Sequence, residues 1–232
     1  MSSPGCKTRI GHLKHFLDNF GGVNLGARED YERLFARHQG LETQITDLVE
    51  GKESLQKIMR ELDDAILHLR FNEEAIGTWM FRSEGDSEQV LAADRILAAR
   101  AEHWLVREIL LFARRVLKRI DVSARSLFTI IEPGSCFAGT LFELVLAADQ
   151  SYMLAGQFED DEAPPATVSL SELNFGCYAM VNGITRLETR FQHELDAISD
   201  LRTSIAEPLE AERAMELGLV TFIPDDIDWE GA

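Results

Sequence analysis

The chain has 232 residues, of which 45% are hydrophobic and 27% charged, and its formal net charge is −17. That apolar share excludes wholesale disorder, and the excess of acid opposes nucleic-acid phosphates except at a local basic stripe. Apolar runs such as residues 144–148 fall far short of the roughly 20 residues of a membrane helix, and no apolar core of a signal peptide follows the N-terminus. The expectation is a soluble, cytoplasmic protein with neither nucleic acid nor membrane as partner. Cys6, Cys136 and Cys177 show no paired spacing, which fits a reducing compartment rather than a disulfide scaffold.

Residues 1–51 form an opening segment of unassigned role. Residues 12–20 and 28–37 each suit a short helix, separated by Gly21, Gly22 and Gly26, and 44–49 suit a strand. His12 and His15 lie three apart, but no cysteine or carboxylate cluster flanks them, so no metal site is assigned.

Residues 52–232 are sharper. Leu55, Ile58, Met59, Leu62, Ile66 and Leu69 recur at helical spacing, predicting an amphipathic helix over 53–71. A strand follows at 76–83, then a loop or short helix holding Val90 to Asp94. Val106, Ile109, Leu110, Ala113, Val116, Leu117 and Ile120 share one face of a helix over 101–120. Its basic residues Arg114, Arg115, Lys118 and Arg119 read as a solvated or groove-lining face rather than a nucleic-acid site. Trp79 and Trp104 fall on core-type faces. A buried-type strand at 126–131 stops at Pro133-Gly134, a helix covers 139–148, and a strand runs over 151–154. This alternation predicts an α/β domain with parallel pairing, whose ligands sit beyond the carboxyl ends of the strands. The loops after Ser83 and Ile131 are the places to look.

The second loop opens a helix, where unpaired N–H groups and a positive dipole end meet small residues. Glu143 lies one turn in. On chemistry alone it reads either as an acid reaching back to the loop or as an exposed charge compensating the dipole. Cys136 and Cys177 read as buried or pocket-lining thiols, since no histidine lies near them in sequence.

Three blocks in order carry a resemblance. They are Glu143-Leu-Val-Leu-Ala-Ala-Asp149, the stretch from Ser171-Glu172 through Gly176 to Leu187, and Ala211-Glu-Arg-Ala-Met-Glu-Leu-Gly-Leu-Val220. They resemble the crotonase (enoyl-CoA hydratase/isomerase) superfamily. The resemblance implies a crotonase-like α/β fold, the ClpP/crotonase spiral of ββα units, incomplete at the C-terminus because the chain stops at Ala232. The stretches Glu132 to Thr140, Asn174 to Gly183 and Gly218 to Trp229 look like the benzoyl-CoA-dihydrodiol lyase branch, specifically the second of its two crotonase-like units.

By that resemblance the substrate is an acyl-CoA thioester and coenzyme A is part of it, with no separate cofactor and no metal. The reaction is the ring-opening hydrolysis of 2,3-epoxybenzoyl-CoA in aerobic benzoate degradation. Glu143 and Glu172 fall on the family's two acid/base carboxylates. Gly139 or Thr140 supplies one backbone N–H of the oxyanion hole, and Ala92 or Ala93 the other. Gly134, Ser135, Gly176 and Arg186 line the substrate, Arg186 serving either a CoA phosphate or a structural salt bridge. The chain departs from the pattern in Ala138-Gly139-Thr140-Leu141, bulkier than a glycine triplet, in Ser171, and in an extra acidic loop at 158–165. Two alternatives stand beside the lyase reading. One is a non-catalytic unit supporting oligomerisation or a partner catalytic unit. The other is an enoyl-CoA hydratase. A homo-oligomer, or docking to a second crotonase-like unit, is expected.

Overall fold

The computed structural model describes residues 27–157, 163–192 and 194–229, together with Arg9, His12, Lys14 and His15. The chain divides into two compact units, Met1–Asp47 and Leu48–Ala232. In the first, His12 and His15 are helical and exposed, while most of the helix expected over 12–20 lies outside the described residues, as do residues 158–162 of the acidic loop expected in the second unit. Helix α1 (Ala27–Asn72) contains the helix expected over 28–37 and also 44–49, which the sequence suggested as a strand. The physical reason is local. Residues 44–49 lack strict two-residue alternation, and Glu42, Gln44, Leu48 and Glu50 around them favour helix.

In the second unit α1 buries Leu55, Met59 and Ile66, whereas Ile58, expected on the same stripe, is exposed. Three parallel strands follow in the order β1–β2–β3: β1 (Thr78–Phe81), β2 (Ser126–Ile131) and β3 (Gln150–Met153). Thr78 pairs with Ser126 and Phe81 with Thr129, and Phe128 pairs with Gln150 and Ile131 with Met153. Parallel neighbours need a crossover. Helices α2 (Ser87–Ala99) and α3 (Trp104–Asp121) lie between β1 and β2, and α4 (Gly139–Ala147) between β2 and β3. The expected alternation is therefore present, with 90–94 inside α2.

Helix α3 shows why the pattern was readable. All seven residues of its expected apolar face are buried. Nδ1 of His103 accepts the Leu105 N–H at its start, and Lys118 and Arg119 sit in the last turn, where cations oppose the dipole. Trp104, expected in the core, is 70% exposed, because it begins the helix outside the buried stripe. The basic residues of α3 are partly engaged within the fold: Arg114 Nε donates to the Ala179 carbonyl and Arg119 pairs with Asp63.

Residues 221–224 extend the sheet beside β3, with the Phe222 N–H donating to Ser151 O and the Met153 N–H to Phe222 O, both at 2.9 Å. The extended stretch 168–170 bridges to Ala138, Ile205 and Leu209. Short helices α5 (Arg186–Arg190), α6 (Leu195–Leu201), α7 (Ala211–Glu216) and α8 (Asp226–Trp229) complete the described chain. Among the described residues no helix is long and apolar enough to cross a membrane.

The loops beyond β1 and β2 are tied together. The Gly85 N–H donates to Gly134 O at 3.0 Å, and the Cys136 N–H to Ser83 Oγ at 3.1 Å. The connection after β2 is thereby held as it enters α4.

The assignment of faces on α3 has a direct check by urea denaturation. Leu117→Ala, at a fully buried position, is expected to lower the unfolding free energy by about 2–5 kcal/mol. Leu111→Ala, on the exposed side, should cost less than about 0.5 kcal/mol. Equal losses would contradict the assignment.

Candidate functional site

Helix α4 is mostly apolar, with Thr140 and Glu143 its polar side chains, and every residue from Gly139 to Leu146 is buried. A buried helix start leaves N–H groups that water cannot reach. Here the N-cap residue is Ala138, which has no side-chain acceptor. The Gly139 N–H instead donates to the Ser169 carbonyl at 2.9 Å. The Thr140 N–H donates at 2.7 Å to Oδ2 of Asp94, reaching in from α2.

Three donors converge on Asp94. Thr140 Oγ1 donates to Oδ1 and Ser171 Oγ donates to Oδ2, both at 2.6 Å, in addition to the Thr140 N–H. The Tyr178 hydroxyl lies 2.8 Å from Thr140 Oγ1. Gly139 makes this approach possible. It has φ +47°, and a β-carbon there would overlap Asp94 Oδ2. Burial pushes the Asp94 carboxyl above its ordinary pKa, and the hydrogen bonds from Ser171 and Thr140 pull it back down in part.

Glu143 is buried as well. Oε1 accepts from Asn174 Nδ2 at 2.8 Å and Oε2 from Arg186 Nη1 at 2.7 Å. Arg186, also buried, makes two-pronged hydrogen bonds to Asp121 at the end of α3, at 2.8 and 2.9 Å. Asn174 Nδ2 also donates to the Gly139 carbonyl, and its Oδ1 accepts the Ser171 N–H. Burial raises the Glu143 carboxyl pKa, while the Arg186 charge opposes that rise.

Glu172, the other expected acid, opens a short 3-10 turn (Glu172–Asn174) and is exposed. It borders a cavity of ≈ 360 Å³ with Leu91, Asp94 and Ala98 of α2, Ser171 and Ile205. The carboxylates lining this cavity are thus Asp94 and Glu172, while Glu143 is not part of the lining and is held by Arg186 and Asn174. Asp94 was missed in the sequence. The available signal was an acid on the buried stripe of α2, between Leu91 and Leu97.

The remaining expected site residues fall as follows. Ala92 and Ala93 lie inside α2, where backbone N–H groups take part in the helical ladder. The Gly139 and Thr140 N–H groups are in place at the start of α4 but engaged by Ser169 and Asp94. Arg186 is a buried structural cation rather than a phosphate ligand, because its guanidinium bridges two carboxylates. Gly134 turns the chain after β2 at φ +81°, and Ser135 Oγ accepts the Glu132 N–H at 3.0 Å. Gly176 is exposed with φ +128°. Asp149, which closes the first motif, accepts the Leu127 N–H at 2.9 Å and anchors the start of β2. Cys177 is pushed up to about 11, first by burial and then by the Asp94 charge, which opposes its thiolate. Among the described residues no group of three or more His, Cys, Asp or Glu side chains is placed to hold a metal ion.

Two expectations follow. Arg186→Met leaves two carboxylates without their cation and should cost about 3–5 kcal/mol in urea denaturation. Glu143→Gln in the same chain should recover part of that loss. The second concerns pH. A carboxyl raised in the folded state adds stability below its unfolded pKa, about 4, and that stability is lost as pH rises through the folded value. Asp94→Asn removes this loss, so its stability relative to the parent chain should increase from pH 4 to pH 8. A difference independent of pH would remove Asp94 as the source.

With this geometry established, comparison with known proteins adds the following. No family model matches the chain. Over 173 residues it is 50% identical to benzoyl-CoA-dihydrodiol lyase of Aromatoleum evansii, covering 75% of this chain and 30% of that protein. The chain thus spans under a third of the length of that relative. A stretch of 66 residues is 38% identical to the chromosome partition protein Smc of Lactiplantibacillus plantarum, 28% of this chain and 6% of that protein, too small a share to carry a function across. Among solved structures, an enoyl-CoA hydratase from Shewanella pealeana superposes with a TM-score of 0.50 at 17% identity, over 75% of this chain and 60% of that chain. Over about three quarters of its length the chain is thus similar in sequence to that lyase and in fold to that hydratase.

Proposed function

We propose that this crotonase-type chain serves the ring-opening hydrolysis of 2,3-epoxybenzoyl-CoA, as a unit of an enzyme of the benzoyl-CoA-dihydrodiol lyase kind. The observation that carries this reading is the 50% identity over three quarters of the chain. The reaction takes an epoxidised aromatic thioester, adds water and releases formate and a semialdehyde thioester, in the cytoplasmic degradation of aromatic acids.

Within that reaction the site geometry favours a supporting role over an autonomous one. A Glu143–Glu172 pair would have to hold a water between two carboxylates free to exchange protons. Glu143 is instead buried and held by Arg186 and Asn174. The Thr140 donor is engaged by Asp94. The same contacts weigh against an autonomous enoyl-CoA hydratase, which needs the same pair. The supporting unit holds a partner catalytic unit or a second copy in place.

A segment exchange tests the reading. Replacing the matching segment of the Aromatoleum evansii lyase with this chain's residues should preserve formate release from 2,3-epoxybenzoyl-CoA. A folded hybrid that releases none would overturn the lyase assignment. Purified alone, the chain should release no formate. Release that Glu143→Gln and Glu172→Gln both abolish would replace the supporting role with an autonomous enzyme.

A further inference from the structure

We propose that Asp94 is an internal stand-in for a thioester oxygen and decides whether this unit's cavity admits an acyl-CoA. The inference rests on the acyl-CoA reading above and adds to it a specificity-determining residue. The Thr140 N–H, the Thr140 hydroxyl and the Ser171 hydroxyl all donate to one buried carboxylate. Three convergent donors in a water-poor site are the arrangement that holds an oxyanion. The same carboxylate forms part of the wall of the ≈ 360 Å³ cavity, whose other lining includes apolar Leu91, Ala98 and Ile205.

The cavity therefore has room and apolar surface for an acyl group, while the donors that would polarise its carbonyl already have an anion. Gly139 fixes this state, since its left-handed backbone and missing side chain give the carboxylate its place. An incoming carbonyl oxygen is a weaker acceptor than a carboxylate and lies close to a negative charge. It neither displaces Asp94 nor shares its donors. Asparagine at 94 would keep an oxygen on the Thr140 N–H, whereas alanine would open all three donors to the cavity.

Isothermal titration with benzoyl-CoA, and with free CoA as a control lacking the acyl oxygen, separates these cases. Asp94→Ala is expected to bind benzoyl-CoA at least tenfold more tightly than the parent chain and Asp94→Asn, with free CoA binding alike to all three. If the alanine variant does not fold, Asp94→Ser, whose short hydroxyl answers at most part of the donor set, should show the same gain. Equal benzoyl-CoA affinity in the parent and in a folded Ala or Ser variant would overturn the role of Asp94. If no folded variant binds either benzoyl-CoA or CoA at millimolar concentration, the acyl-CoA reading fails together with the proposal. The two failures are distinguished by whether the parent chain binds.

Discussion

A helix buried on every side must find partners for its polar groups inside the protein, and the arrangement around α4 follows from that requirement. Eight consecutive residues of α4 are buried. Its first N–H groups go to the Ser169 carbonyl and to Asp94. Its one charged residue, Glu143, goes to Asn174 and Arg186. Arg186 in turn ties to Asp121 at the end of α3. One constraint thereby fixes α2, α3, α5 and the Glu172–Asn174 turn relative to a single helix. Such a network is stable when each member is satisfied and costly when one is missing.

The framework of the second unit was legible because its signals are periodic. Strand β2 occupies the residues expected of it, and the seven buried positions of α3 are the seven that recur at helical spacing. These patterns report which face meets the core, and burial depends on little else. The expected strand at 44–49 shows the limit. A short apolar run carries no period long enough to tell strand from helix, and the surrounding helix formers prevail.

The site was less legible for a different reason. Motif residues were visible by type, but their roles depend on partners distant in sequence. Thr140 and Asp94 are 46 residues apart, and Glu143 and Arg186 are 43 apart. A glutamate one turn into a helix reads as a base when its surroundings are unknown. The same glutamate beside a buried guanidinium is half of an ion pair. Arg186 likewise reads as an anion ligand until Asp121 is placed against it. Asp94 escaped notice because its neighbours Ala92 and Ala93 drew the reading toward a small-residue loop, whereas the stretch is helical and the acid faces inward.

These contacts also separate likeness of fold from likeness of chemistry. A carboxylate that works as acid or base changes its protonation state in each turnover. For Glu143 that change would break a buried pair with Arg186 and leave the guanidinium partly uncompensated, at a cost of several kcal/mol. Glu172 is under no such restraint, being exposed at the cavity. Of two acids that the motif presents as equals, one is therefore committed to holding α4 and the other remains free. A single free carboxylate does not make an acid and base pair, and Asp94, the other carboxylate at the cavity, is bound by three donors. The network that lets α4 be buried thus engages Asp94 and Glu143 within the fold and leaves Glu172 exposed at the cavity.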